Sequence, residues 1–149
     1  MTLDDFGERM AGKILLEVVT PDKLLLSLPV DMVIAPGTEG EFGVLPGHCH
    51  FLSTLRIGEL RYQIQDTWHY MAVLWGFAEV TPTKVTVMAE VSEKSEDIDV
   101  NRAQAAVEKA EQQVQTGGLP SEVRDAQISL EKSRLRKKIA EHARKGAHA

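Results

Sequence analysis

Ala35-Pro36-Gly37-Thr38-Glu39-Gly40-Glu41-Phe42-Gly43-Val44-Leu45-Pro46-Gly47-His48 is the stretch that sets the character of this chain. Glycine accepts positive φ and lets a second backbone approach closely. Proline fixes φ and removes an amide donor. Interleaved with Thr38, Phe42, Val44 and Leu45, they specify short strands and tight turns, not a flexible linker. Glu39 and Glu41 alternate, so in an extended segment both carboxylates project the same way beside a surface turn.

The neighbouring sequence continues in the same style. Lys13 to Val19 is largely apolar and ends in two β-branched residues before Thr20-Pro21-Asp22-Lys23. Leu24-Leu25-Leu26 opens a run that Pro29 interrupts, and Val30 to Ala35 follows. Phe42 to Leu45 and His50 to Arg56 are the next short runs. From Glu59 to Gln65, Leu60, Tyr62 and Ile64 fall on one face and Arg61, Gln63 and Gln65 on the other. Trp68 to Gly76, Phe77 to Val80 and Lys84 to Val91 read as three more strands, with Thr81-Pro82-Thr83 as a turn. Many short strands at turn spacings predict an all-β sandwich or barrel.

The period changes after Val91. Ser92 to Asp97 is polar and acidic, which suits a boundary, and places a β-sandwich at 1–92 and a helical unit at 93–149. Ala103, Ala106, Val107, Ala110 and Val114 recur at helical spacing. Asp97 or Asp99 suits the cap, because a carboxylate accepts the free first-turn amides and meets the helix dipole. Thr116-Gly117-Gly118-Leu119-Pro120 stops the first helix. Ser121 is the expected cap of a second, whose apolar set includes Val123, Ile128, Leu130, Leu135 and Ile139. The predicted fold is therefore two-domain α+β: an N-terminal all-β sandwich followed by a C-terminal antiparallel α-helical hairpin. The alanine-rich face buries little area per residue, so the hairpin is expected to hold itself weakly and to move between docking sites. The alternative is a permanently docked appendage.

Composition narrows the function. The 149 residues carry a net charge of −5, against a nucleic-acid binder, which needs a basic face. Basic residues do crowd the C-terminal end (Lys132, Arg134, Arg136, Lys137, Lys138, Arg144, Lys145), as a solvated helix face or as a dock for an acidic partner or phosphates. Cys49 is the only cysteine, so no intrachain disulfide forms. No apolar run reaches the ~18 residues of a membrane helix. Met1-Thr2-Leu3-Asp4-Asp5 has neither the basic start nor the apolar run of a signal peptide. Membrane association is expected only through a partner.

Candidate chemistry is sparse. Gly37 to Gly43 lacks the Gly-Lys-Ser/Thr ending of a phosphate loop, and its carboxylates repel phosphate. In a strand, His48 and His50 would share a face and so an ion, but a third and fourth ligand are not evident, and no metal is expected. Cys49 reads as a small buried apolar residue. No nucleophile elbow or other catalytic arrangement stands out, so the chain is not expected to be an enzyme.

The Ala35–His48 stretch, Gly58-Glu59-Leu60-Arg61, Gly76-Phe77-Ala78-Glu79-Val80 and Ile98-Asp99-Val100-Asn101-Arg102-Ala103 together resemble the epsilon subunit of rotary, proton-driven ATP synthases, in order and spacing, over roughly residues 13 to 145. The resemblance implies a non-catalytic central-stalk (rotor) subunit that couples proton flow through the c ring to ATP synthesis. It implies partners in the gamma subunit and c ring, and in the alpha and beta subunits through C-terminal helices that impede ATP hydrolysis. It implies partner contact at Glu39, Glu41 and His48, and a peripheral place on the cytoplasmic face of a bacterial cell membrane. No cofactor is required. Some bacterial members bind a regulatory ATP, which carries over here to Asp99, Arg102, Lys109, Lys132 and Arg136. The chain departs from the family at Cys49-His50, where a small residue and proline are usual, and at Lys109, where arginine suits ATP better than a point charge. The rival readings are a stand-alone ligand-binding β-sandwich with a helical dimerisation tail and a soluble nucleotide sensor.

Overall fold

The computed structural model describes residues 10–146, with side chains as far as His142. Residues 1–9 and 147–149 lie outside the described residues, as do the side chains of Arg144 and Lys145. Eight strands come first: β1 (Ile14–Val19), β2 (Leu24–Val30), β3 (Met32–Gly37), β4 (Gly40–Val44), β5 (Phe51–Leu55), β6 (Gly58–Ile64), β7 (Thr67–Val80) and β8 (Lys84–Lys94). A 3₁₀ turn at Ser95–Asp97 leads to α1 (Val100–Thr116) and α2 (Pro120–Gly146). Two compact units divide between Ser92 and Glu93.

The first unit is a β-sandwich in which strands hydrogen-bond in the order β2-β1-β8-β7-β5-β3-β4, with β6 bridging β3 and β7. β1 runs parallel to β8 and antiparallel to β2. Alternation does what the pleat requires: Ile14, Leu16 and Val18 are fully buried while Leu15, Glu17 and Val19 are not. They join Val33, Leu60, Met71, Val73, Val85 and Val87 in one aliphatic core. Asp31, between β2 and β3, ties this unit together. Its carboxylate pairs with Lys13 ahead of β1 and accepts the amide of Gln65 in the β6–β7 turn. The Lys13 hydrogen bond, with help from the Gln65 amide and the lysine charge, holds Asp31 below the ordinary carboxylate range despite some desolvation.

The structure corrects the expected strand and helix boundaries in three places. Trp68–Gly76 and Phe77–Val80 are not two strands but one β7 of 14 residues. The glycine that looks like a break is a bend: Trp75 has φ of 56° and Gly76 of 139°. A Cβ on Gly76 would lie 2.1 Å from the Met88 carbonyl oxygen, so only glycine lets the strand through. β7 changes partners there, pairing with β6 over residues 67–73 and with β5 over 76–80. Secondly, β5 starts at Phe51, and His48-Cys49-His50 form a loop after the Pro46-Gly47 turn. Thirdly, Ser121 does not cap α2. The helix begins at Pro120, where a missing amide costs nothing, and Glu122 reaches back to accept the Leu119 amide at 3.0 Å.

In the second unit Asp99 caps α1, accepting the Arg102 amide at 3.1 Å. Ala103, Val107 and Ala110 are its buried residues, and among the described side chains of α2 they are Ala126, Ser133, Ile139 and Ala140. The Ser133 hydroxyl is satisfied by the Ser129 carbonyl at 2.7 Å. An Arg134–Glu111 pair at 3.4 Å links the two helices on the outside.

Candidate functional site

The β3–β4 turn is built to hold Glu39 and Glu41 at the surface. Gly37 is needed because a Cβ there would come within 2.7 Å of the Gly40 carbonyl oxygen. Thr38 straps the turn to β5, its amide donating to the Thr54 carbonyl at 3.0 Å and the two hydroxyls meeting at 2.7 Å. Glu39 occupies the turn itself, not the strand, so the two acids do not alternate on one face. On the other side, Arg61 Nη2 donates to Glu41 Oε2 at 3.0 Å.

Beside this turn lies an open depression of about 760 Å³ lined by Glu39, Glu41, Phe42, Phe51, Leu52 and Phe77, among others. The Phe42 and Phe51 rings meet edge to face at 5.1 Å, and His48 stands 6.2 Å from Phe51. Leu52 is 68% exposed, Phe51 41% and Phe77 44%. Register places Leu52 opposite Glu79 and Thr54 opposite Phe77, so Leu52 and Phe77 share the outer face of the β5–β7 pair. An exposed apolar patch rimmed by carboxylates is the mark of an interaction surface. The sequence resemblance singled out the two acids and His48, whereas Leu52 and Phe77 were not singled out. The signal was there in Phe51-Leu52: two adjacent large apolar residues in a half-buried strand cannot both face the core.

His48 and His50 lie in a loop and not in a strand, so the alternation that would put both on one face is absent. His48 Nδ1 meets the Cys49 carbonyl at 2.7 Å. Cys49 is exposed, not buried, because the loop carries it away from the core. Among the described residues no cluster of His, Cys, Asp or Glu suits a metal ion.

The second unit has its own concavity, about 300 Å³, lined by Glu93, Asp97, Ile98, Asp99, Arg102, Ala103, Ala106 and Arg136. Three of the five residues expected around a nucleotide, Asp99, Arg102 and Arg136, thus converge. Lys109 and Lys132 are outside this lining. Lys109 is seven residues beyond Arg102, about 10 Å along the helix. Glu93, which sequence reasoning missed, takes Arg136 directly: Nη2 and Nε lie 2.7 and 2.8 Å from its Oε1. No short-range pattern signals a pair 43 residues apart.

Comparison with known proteins covers both units. Residues 13–95 match the family described as ATP synthase, Delta/Epsilon chain, beta-sandwich domain. Residues 96–141 match ATP synthase, Delta/Epsilon chain, long alpha-helix domain. The chain belongs to the ATP synthase delta/epsilon family. Among its relatives, the ATP synthase epsilon chain of Syntrophobacter fumaroxidans is 50% identical over 132 residues, covering 89% of this chain and 98% of that one. The epsilon chain of Nitratidesulfovibrio vulgaris strain DP4 is 48% identical over 128 residues, covering 86% and 96%. A chain of the Euglena gracilis mitochondrial ATP synthase, solved with OSCP, F1 and the c-ring, superposes with a TM-score of 0.75 at 25% identity, covering 85% of this chain and 81% of that one. A chain from the central stalk and c-ring of the Tetrahymena thermophila enzyme shares the fold, with a TM-score of 0.59 at 14% identity over 86% and 96%. A delta/epsilon match through sandwich and hairpin alike sets aside the stand-alone ligand-binding module and the soluble sensor. Among the described residues no helix is long and apolar enough to cross a membrane.

Proposed function

We propose that this chain is a non-catalytic rotor subunit of an F-type ATP synthase, seated between the gamma subunit and the c ring at the cytoplasmic face of the membrane. The observation that carries this reading is the braced Glu39–Gly43 turn beside the exposed Phe51, Leu52 and Phe77. A member of a torque-bearing stalk needs a stiff body and adhesive outer surfaces, and this sandwich offers both. In this reading Glu39, Glu41 and His48 meet the ring, and the apolar patch buries against a neighbouring subunit. Binding of the full chain to a solubilised gamma–c-ring complex tests it. Leu52→Asp is expected to abolish stable binding, and retained wild-type affinity would refute the assignment.

The hairpin is proposed to impede ATP hydrolysis by reaching the alpha and beta subunits, its basic α2 supplying the charge to meet acidic segments there. Truncation from Asp97 onward is expected to leave assembly intact and to raise hydrolysis. Unchanged hydrolysis would remove the inhibitory role.

A regulatory ATP does not fit the hairpin as it stands. Arg136 is already neutralised by Glu93, Asp97 and Asp99 add negative charge, and the two lysines stand outside the lining. We infer that this concavity does not hold ATP. Heat released on titrating millimolar ATP with magnesium into the full chain would contradict that.

A further inference from the structure

Arg61 sits between two carboxylates with opposite environments. On the inner side is Glu59, whose side chain is only 6% exposed and whose Oε1 lies 3.6 Å from Arg61 Nε. On the outer side is Glu41, 48% exposed, accepting from Arg61 Nη2 at 3.0 Å. Register explains the meeting. Ile34 on β3 pairs with Gly43 on β4 and with Arg61 on β6, while Pro36 pairs with Glu41. Glu41 and Arg61 therefore flank β3 diagonally on one face, and Glu59 shares that face two residues before Arg61.

The two pairs are not equivalent. A carboxylate as deeply buried as Glu59 needs a countercharge close by, and the guanidinium supplies it as an ion pair at 3.6 Å, with no hydrogen bond at Nε. Glu41 then receives its hydrogen bond from a donor that cannot wander. An untethered surface glutamate loses rotamer freedom when a partner captures it. One held by an anchored, planar donor has lost it already. With Thr38 bound to Thr54 on the opposite flank, the acidic turn is braced on both sides.

We propose that Arg61 is a positioning residue for partner recognition: anchored by Glu59, it pre-orients Glu41 toward an N–H-bearing side chain of the protein that receives the turn. The three charges sum to −1, so the outward carboxylate keeps its attraction for such a donor. This rests on the reading of Glu41 as a partner contact given above.

The test is a double-mutant cycle on the full chain, titrated onto the solubilised gamma–c-ring complex. Glu41→Gln and Arg61→Met are each expected to weaken binding about tenfold, the size of one charge-assisted hydrogen bond. The double variant should be no weaker than either single one, because both remove the same contact. Arg61→Lys, which keeps the charge but not the fork, should fall between. Since Arg61→Met strands a buried carboxylate, the pair Glu59→Gln/Arg61→Met is made as well. It should keep the wild-type melting temperature and still lose the tenfold, a loss that a merely structural arginine would not give. Full additivity of Glu41→Gln and Arg61→Met, or wild-type binding by Glu59→Gln/Arg61→Met while Glu41→Gln is impaired, overturns the role of Arg61 and spares the contact. Wild-type binding by Glu41→Gln itself overturns the contact, and the proposal with it.

Discussion

The sandwich and the hairpin solve the packing problem with opposite means. In the sandwich, branched aliphatics alternate along nearly every strand, and Leu16, Leu60, Met71 and Val73 are fully buried in one core. Among the described residues of the hairpin, those buried on α1 are two alanines and a valine, and α2 adds two more alanines, a serine and one large side chain, Ile139. At ~25 cal/mol per Å² of apolar area, the first unit is heavily stabilised and the second lightly. That difference suits the roles proposed above, a stiff body and a releasable arm.

The contrast can be broken in order of expected effect. Leu60→Ala should destabilise the sandwich by about 2–5 kcal/mol through lost burial and a cavity, read from chemical denaturation of the full chain. A cost under about 1 kcal/mol would mean this core is not tightly packed. Gly76→Ala should cost about 2–3 kcal/mol, since both positive φ and the Met88 carbonyl oppose a Cβ. Wild-type stability there would show that β7 can bend elsewhere. Ala110→Gly, the hairpin's counterpart, should cost about 1 kcal/mol from helix propensity. It should be visible as faster amide exchange in α1 and α2, with exchange in the sandwich core unaltered. Glu93→Gln should loosen the same helices by about 1 kcal/mol or less, the partly exposed pair being screened by solvent.

The smallest effect is a pH dependence. Asp31 has a depressed pKa in the folded state. Its stabilisation is therefore complete above the ordinary carboxylate range and disappears as pH falls through the folded value. Asp31→Asn should melt below wild type at neutral pH, and the gap should close in acid. A gap that widened in acid would assign the pairing the wrong sign.

How much of this was legible in the sequence follows the range of the interaction. Alternation at Leu60, Tyr62 and Ile64 and the 3.6-residue spacing of Ala103, Val107 and Ala110 are local, and the structure shows both faces as read. Asp99 was one of two candidate caps, and the choice fell to it because Asp97 ends the preceding 3₁₀ turn. Gly76 was read as a stop because its need is set by Met88 on another strand. Arg61 was placed correctly on the outer face, but its partners Glu41 and Glu59 lie across β3 and two places along β6, a geometry only register supplies. Glu93 escaped for the same reason: its partner arrives from the far helix.

The bend at Trp75-Gly76 has one mechanical corollary. Because a single β7 pairs with β6 before the bend and with β5 after it, a twist applied at Phe77 reaches the residues that pair with β6 along a covalent backbone. It does not have to cross a seam where side chains can slide. Peptide bonds stretch far less than such seams shear, so a load on one half of β7 reaches the other with little lost in give.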